Sequence, residues 1–277
     1  MSYIIQVEQL KKLIAEQREN TVIIDVRFIL TEPDAGRQMY LSEHIPNAIY
    51  LDLERDLSGK AAKHGGNHPL PEIATFSEKL GNVGVDENTT VVIYDEENDM
   101  FAPRLWWLLH YLGHEKVYVL EGGYKKWIEA GNRVTSEIPS LTPKKFVPKL
   151  RQEETVEMKE VKEKVEKQEA VLIDSRHPDR YFGIFEPLYS KAGHIPGAVN
   201  YFWKDVTLPD GKWKSPDQLK NHFAELPKDA EIIVSCGSGV SACPNILALK
   251  SIGYTNVKLY PGSFSDWISY AENDIEL

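Results

Sequence analysis

Two tandem α/β domains, each a small parallel sheet flanked by helices, are what this 277-residue sequence predicts. Three observations carry that expectation. Short apolar runs alternate with segments of helical spacing, the pattern of a parallel sheet covered on both faces. The chain also repeats itself: Asp25-Val26-Arg27, His44-Ile45-Pro46-Asn47-Ala48, Tyr94-Asp95 and Gly122 to Trp127 return in the same order as Asp174-Ser175-Arg176, His194-Ile195-Pro196-Gly197-Ala198, Ser235-Cys236 and Gly262 to Trp267. The pairs Asp25/Asp174, His44/His194, Asp95/Cys236 and Gly122/Gly262 lie 149, 150, 141 and 140 residues apart, and four landmarks that keep their order mark a duplication. Finally, the length suffices for two domains that each bury a core.

In chain order, Val7, Leu10, Leu13 and Ile14 have the spacing of one helical face and predict a helix over 7–17. The apolar run 22–26 reads as a buried strand. Strand 90–94, helix 102–112, strand 117–120 and helix 124–130 complete the first domain, assigned to 1–133. Residues 134–152 contain Pro139, Pro143 and Pro148 and have no periodicity, which predicts a semi-rigid connector. The second domain, 153–277, repeats the plan with helix 156–167, strands 170–174 and 231–235, helix 242–251, strand 257–260 and helix 264–272. The stretch 53–71 and its counterpart 203–216 read as long surface loops.

Forty-two acidic and thirty-two basic residues leave a net charge of −10, which repels nucleic acid and anionic membrane surfaces. An anionic substrate therefore needs a local basic site. The two cysteines, Cys236 and Cys243, form no disulfide framework and suit a reducing compartment. Residues 1–10 lack a basic segment followed by an apolar stretch and cleavage site, and no apolar run approaches a membrane span. A cytoplasmic location is expected.

The segment that carries chemistry is Cys236-Gly237-Ser238-Gly239-Val240-Ser241-Ala242, between a predicted buried strand and a predicted helix. Two glycines let the backbone curl so that successive amide N–H groups point inward, and the helix N-terminus adds its positive end. Such a cradle favours an anion, here the thiolate of Cys236, and makes it a nucleophile site. The competing reading of the loop alone is an inert buried cysteine beside a tight turn. Because the first copy has Asp95 where the second has Cys236, the duplication predicts one active and one supporting domain.

These motifs together, the repeated Asp-x-Arg and His-Ile-Pro-(Gly/Asn)-Ala, the cysteine loop and the closing Gly-x-x-x-x-Trp, resemble the two-domain sulfurtransferases of the rhodanese superfamily over nearly the whole chain. The resemblance implies two rhodanese-like domains, the N-terminal one silent, with Asp95 in place of the catalytic cysteine, and the C-terminal one catalytic. The loop Cys236 to Ala242 is similar to the 3-mercaptopyruvate sulfurtransferase signature Cys-Gly-Ser-Gly-Val-(Thr/Ser)-Ala, whereas thiosulfate-preferring members have Cys-Arg-Lys-Gly-Val-Thr. A neutral loop suits a thiol donor with one carboxylate, and two cations suit the thiosulfate dianion. Ser238 and Ser241 could orient a leaving thiolate or cap the helix.

By the same resemblance Arg180 grips the donor anion. A second substrate arginine is expected shortly before His194-Ile195-Pro196-Gly197, where this chain offers only Lys191, a point charge and not a bidentate clamp. Arg176 and Arg27, present in both copies, read as structural partners of Asp174 and Asp25. His44 and His194 occupy equivalent places and read as structural, while the resemblance also allows His44 with Asp34 to relay a proton to the leaving group. Met100, Phe101 and Arg104 resemble a pocket wall; Trp106 and Trp107 read as core. His64 and His68 lack a third ligand for a metal, and Cys243 reads as a buried helix residue, with resolution of an oxidised Cys236 as the alternative.

The expected activity is transfer of a sulfane sulfur from a small anionic donor, 3-mercaptopyruvate before thiosulfate, through a Cys236 persulfide to a thiol, thioredoxin-like protein or cyanide. No cofactor or metal is expected, since Gly237-x-Gly239 lacks the rest of a dinucleotide motif. A cysteine phosphatase would need an arginine closing the loop, where position 242 is Ala. A carrier that stores a persulfide without turnover is the remaining alternative.

Overall fold

A computed structural model describes residues 3–16 and 20–277. The chain folds into two units. The first comprises residues 1–59, 71–151 and 207–213, and the second Lys60–Leu70, Gln152–Val206 and Lys214–Leu277. Each unit thus takes in a short segment from the other half of the sequence.

In the first unit β1 (Ile4–Ile5), α1 (Val7–Ala15), β2 (Thr21–Asp25), α2 (Ala35–Ser42), β3 (Ala48–Tyr50), α3 (Ile73–Asn82), β4 (Thr90–Tyr94), α4 (Phe101–Tyr111), β5 (Val117–Leu120) and α5 (Gly123–Glu129) follow in order. The strands form a parallel sheet in the order β1-β5-β4-β2-β3. The helical stripe of α1 buries Val7 and Leu10 against Ile23, Val92, Leu120 and Trp127. At its far end, Gln17 lies outside the described residues.

In the second unit α6 (Met158–Glu166), β6 (Ala170–Asp174), α7 (Pro178–Tyr181), β7 (Val199–Asn200), α8 (Pro216–His222), β8 (Glu231–Ser235), α9 (Cys243–Ser251), β9 (Val257–Leu259) and α10 (Ser263–Trp267) build a parallel sheet in the order β7-β6-β8-β9. β8 is central, and its Ile232, Ile233 and Val234 are fully buried. In α/β sheets the carboxyl ends of such strands are where ligands bind. Cys236 is the first residue past that end.

The strands expected from the sequence lie within one residue of β2, β4, β5, β6, β8 and β9, and the expected helices 102–112, 124–130 and 242–251 lie within one residue of α4, α5 and α9. The short edge strands β1, β3 and β7 and the helices α2, α3, α7 and α8 are additional, and α6 is two residues shorter at its start than expected. Two further features differ. The last helix stops at Trp267 and not at 272, because the Trp267 indole donates to the Asp274 carbonyl (2.8 Å) and Asn273 Nδ2 donates to the Trp267 carbonyl (3.1 Å), folding the chain back. The segment expected to be a semi-rigid connector is laid along the first unit: amides of Lys144, Lys149 and Arg151 donate to the carbonyls of Gly81, Leu112 and Tyr111 at 2.8, 2.8 and 3.0 Å. The unit boundary accordingly falls between Arg151 and Gln152. Among the described residues no helix is long and apolar enough to cross a membrane.

Candidate active site

The loop 236–242 joins β8 to α9 and is shaped by its two glycines. Gly239 has φ +79°, and a Cβ there would lie 2.3 Å from the Pro261 carbonyl oxygen. A Cβ on Gly237 would lie 2.7 Å from the Tyr189 hydroxyl. Neither position accepts a side chain without displacement of its neighbour. With this curl, the Gly239 N–H donates to Cys236 Sγ at 3.1 Å. The amides of Gly237, Ser238, Val240, Ser241 and Ala242 are engaged by no other protein group among the described residues. The sulfur therefore sits against one loop amide, within a loop whose other amides are left available to an anion. Cys236 itself is 1% exposed.

Beneath the loop runs α10. The carbonyls of Cys236 and Gly237 accept from the amides of Phe264 (3.0 Å) and Ser265 (2.9 Å). Ser263 Oγ accepts from the Cys236 N–H at 3.0 Å, donates to the Tyr260 carbonyl at 2.8 Å and lies 3.9 Å from Cys236 Sγ. Ser263 is fully buried with φ +53°, left-handed backbone that costs a residue with a Cβ about 1–2 kcal/mol.

A strap from the first half of the chain, Lys60–Leu70, belongs to this unit and supplies a residue that the sequence reading set aside. His68 Nδ1 lies 2.7 Å from Ser238 Oγ, a hydrogen bond whose direction follows the imidazole tautomer. The strap is held by Gly65 N–H on Asp266 Oδ1 (2.7 Å), Asn67 N–H on Ser265 Oγ (3.2 Å) and His64 Nδ1 with Ser269 Oγ (2.7 Å), His64 also stacking on Tyr270. His64 and His68 are thus polar anchors of the strap and not idle loop residues. Among the described residues no group of three or more His, Cys, Asp or Glu is placed to hold a metal.

Other expected site residues fall differently. Arg180 directs Nε and Nη2 at the two oxygens of the buried Glu186 (3.0 and 2.9 Å), so the paired edge expected to clamp a substrate anion is already occupied. Its guanidinium lies 5.2 Å from the Tyr189 ring centroid. Burial, and then the charge of Cys236, push the Tyr189 phenol up from its usual value, against Arg180 and Ser265, which lower it. Tyr189 therefore joins Arg180 to the loop, a link the sequence did not reveal. Lys191 is half-buried and forms no hydrogen bond or ion pair among the described residues.

His44 does not fit a proton relay. It is fully buried, with Nδ1 2.6 Å from the Tyr40 carbonyl and Nε2 3.1 Å from the Glu137 carbonyl, so both nitrogens are engaged by backbone of its own unit. Asp34 is largely exposed and pairs with Arg55 (2.7 Å). Neither Ser238 nor Ser241 caps α9, whose N-cap is Ala242. Cys243 begins that helix, fully buried, with Sγ donating to the Gly239 carbonyl at 3.5 Å. Arg27 and Arg176 are structural: each directs Nε at both oxygens of the aspartate two residues earlier and lies about 4 Å over an aromatic ring, Tyr124 or Phe264. Phe101, Arg104, Trp106 and Trp107 are buried in α4 of the first unit.

The corresponding loop of the first unit, 95–100, has the same frame. Tyr124 and Lys125 amides donate to the carbonyls of Asp95 (2.8 Å) and Glu96 (2.9 Å), as Phe264 and Ser265 do to Cys236 and Gly237. In the sulfur's place the Asp95 carboxyl accepts from the amides of Asp99 (3.0 Å) and Ala102 (2.9 Å). Burial and the Asp99 charge raise it to about 7.

Comparison with known proteins agrees with this duplicated frame. The Rhodanese-like domain family model matches twice, over residues 6–130 and 157–270. A probable 3-mercaptopyruvate sulfurtransferase of Pseudomonas aeruginosa is 39% identical over 90% of this chain and 89% of its own. Thiosulfate sulfurtransferase of Mus musculus is 33% identical over 90% of this chain and 85% of its own. The crystal structure of SseA from Escherichia coli, described with the rhodanese fold of 3-mercaptopyruvate sulfotransferases, superposes with a TM-score of 0.84 at 32% identity over 95% of this chain and 99% of that one. The two matched segments carry β2 to β9, all of both parallel sheets but the edge strand β1, and both loops at their carboxyl ends, so this chain belongs to the rhodanese family and contains its domain in tandem.

Proposed function

We propose that the protein is a sulfurtransferase that moves a sulfane sulfur from a small anionic donor, 3-mercaptopyruvate in preference to thiosulfate, through a persulfide on Cys236. The observation that carries this reading is the Cys236 sulfur inside a loop whose amides are open to an incoming anion. The second unit is the catalytic one in this reading, and the first, with Asp95, is silent.

In the first half-reaction the Cys236 thiolate attacks the donor sulfur. An S–S bond forms as the carbon–sulfur bond of 3-mercaptopyruvate breaks, and the electron pair leaves with the carbon fragment as the enolate of pyruvate. The proton given up by the donor thiol ends on that carbon. The Ser238–His68 pair, hydrogen-bonded at 2.7 Å, is suited to carry it. The terminal sulfur of the persulfide, an anion, is stabilised by the loop amides. In the second half-reaction a thiol, a thioredoxin-like protein or cyanide attacks the outer sulfur and the Cys236 thiolate returns.

Donor preference rests on the uncharged loop side chains and on the Ser238–His68 pair, which a thiol donor needs and thiosulfate does not. The substrate carboxylate meets Arg180 through the edge that Glu186 leaves open, with Lys191 as a second, weaker attraction. Thiosulfate remains the second donor because relatives bearing that name are 33% identical. Two free cysteines suit a reducing, cytoplasmic setting. Steady-state transfer to cyanide with each donor tests the proposal. A higher kcat/KM for 3-mercaptopyruvate is expected; a preference for thiosulfate would overturn the donor assignment, and one loading without turnover would make the protein a carrier.

A further inference from the structure

Superposing the two loops by their shared hydrogen bonds pairs Cys236 with Asp95, Phe264 with Tyr124 and Ser263 with Gly123. The last pair is the informative one. Gly123 has φ +57° and Ser263 φ +53°, so both copies demand left-handed backbone at this point. The first copy meets the demand with the residue that adopts it freely. The second copy holds a side chain there against the conformational cost, in the interior, next to the reactive sulfur. Non-glycine residues held in this region cluster where their side chains have work that glycine cannot do.

We infer that Ser263 is a positioning residue for Cys236, and this rests on the sulfurtransferase reading above. Its hydroxyl accepts the Cys236 N–H and donates to the Tyr260 carbonyl, tying the nucleophile's own peptide to the end of β9. With that peptide fixed, the Cys236 sulfur receives the Gly239 N–H at 3.1 Å and lies 3.9 Å from the Ser263 hydroxyl. The hydroxyl is thus a tether that sets the height of Sγ in the cradle. The silent copy needs none, because the Asp95 carboxyl is fixed by the amide of Asp99 in its own loop and that of Ala102 in the first turn of α4. Reaction geometry is sensitive to such placement, since a displacement near 1 Å costs on the order of a hundredfold in rate.

The test is Ser263→Gly, which removes the hydroxyl, adds no atoms and suits the backbone angle. Three readouts are compared with wild type: thermal unfolding, hydrogen exchange at individual amides, and single-turnover persulfide loading by 3-mercaptopyruvate and thiosulfate followed by mass. The expected result is an undiminished Tm, faster exchange at the Cys236 amide with β8 and α9 still protected, and loading at saturating donor slowed about tenfold or more with the half-saturating concentration unchanged. Ser263→Ala is expected to load as slowly and to melt below Ser263→Gly, because it keeps the Cβ. Wild-type loading rates in Ser263→Gly, or exchange loosened throughout the unit, overturn the inference. If the wild-type protein itself accepts sulfur from neither donor, the sulfurtransferase reading fails instead. The exchange data then decide alone, and an unchanged Cys236 amide refutes the tether.

Discussion

The loops after β4 and β8 leave their sheets at the same point and accept the same pair of amide hydrogen bonds, from α5 and α10 respectively, yet one is closed and the other open. In the first, the Asp95 carboxyl takes up the amides of Asp99 and Ala102, so the cradle is filled from within. In the second, Cys236 Sγ receives the Gly239 N–H and the loop amides on either side stay available. Asp95 is therefore more than a missing nucleophile. A carboxyl occupies as a permanent ligand the position that an anion would occupy in passing, and the first loop is a capped relative of the second. A fold fixes where the strand ends, and the side chain placed there decides whether the site is structural or chemical.

Removing the sulfur should have the largest effect. Cys236→Ser is expected to lower kcat for transfer to cyanide by at least about 10³-fold with either donor, and adding Asp95→Cys to that variant should restore nothing. Appreciable turnover in the double variant would break the contrast, since the first loop would then be a second latent site. Next comes the strap. His68→Asn is expected to reduce kcat with 3-mercaptopyruvate by about 10²-fold and to affect thiosulfate far less, because only the thiol donor has a proton to move. Equal losses with both donors would assign His68 to anchoring alone.

The smallest effect is on stability. Asp95 has its folded-state value raised to about 7, so between about 4 and 7 the folded chain holds a proton that the unfolded chain has lost, and stability falls as pH rises across that window. Asp95→Asn should flatten this slope and raise Tm by a few degrees at pH 8 while leaving it near wild type at pH 4. Thermal melts across that range check it. A wild-type slope retained in the variant would place the titration on another group.

The duplication was readable because buried strands need apolar runs, and 90–94, 170–174 and 231–235 carry them at their exact places. α2, α3, α7 and α8 have no counterpart among the expected helices. α2 includes Gly36, where a Cβ would meet the Arg27 carbonyl at 2.0 Å, so close packing and not a helical apolar stripe fixes that segment. The cysteine loop was legible from its glycines because a tight curl such as the positive φ of Gly239 is a local demand, although the neighbours that exclude a Cβ, Pro261 and Tyr189, are distant in sequence. His68 was not, because its partner Ser238 is 170 residues away and nothing in a glycine-rich stretch announces so distant a contact. Glu186 was within view, six residues beyond Arg180, but the chain between them has no periodicity from which the pairing could be read. Ser263 could have been found from the repeat itself. Gly122-Gly123 against Gly262-Ser263 differs by a side chain present in one copy alone, and that copy is the one with Cys236 in place of Asp95.

The strap has a consequence for how such a chain is inherited. The residues that surround Cys236 are written in two distant stretches of the sequence, and the earlier one, Lys60–Leu70, lies inside the half that lacks the cysteine. Reciprocally, residues 207–213 complete the first unit, where Asn98 Nδ2 donates to the Gly211 carbonyl. A duplicated protein organised in this way can no longer be divided at its midpoint. Deleting the half that carries Asp95 would take His68 with it, so that half supplies part of the surroundings of Cys236 irrespective of any chemistry of its own.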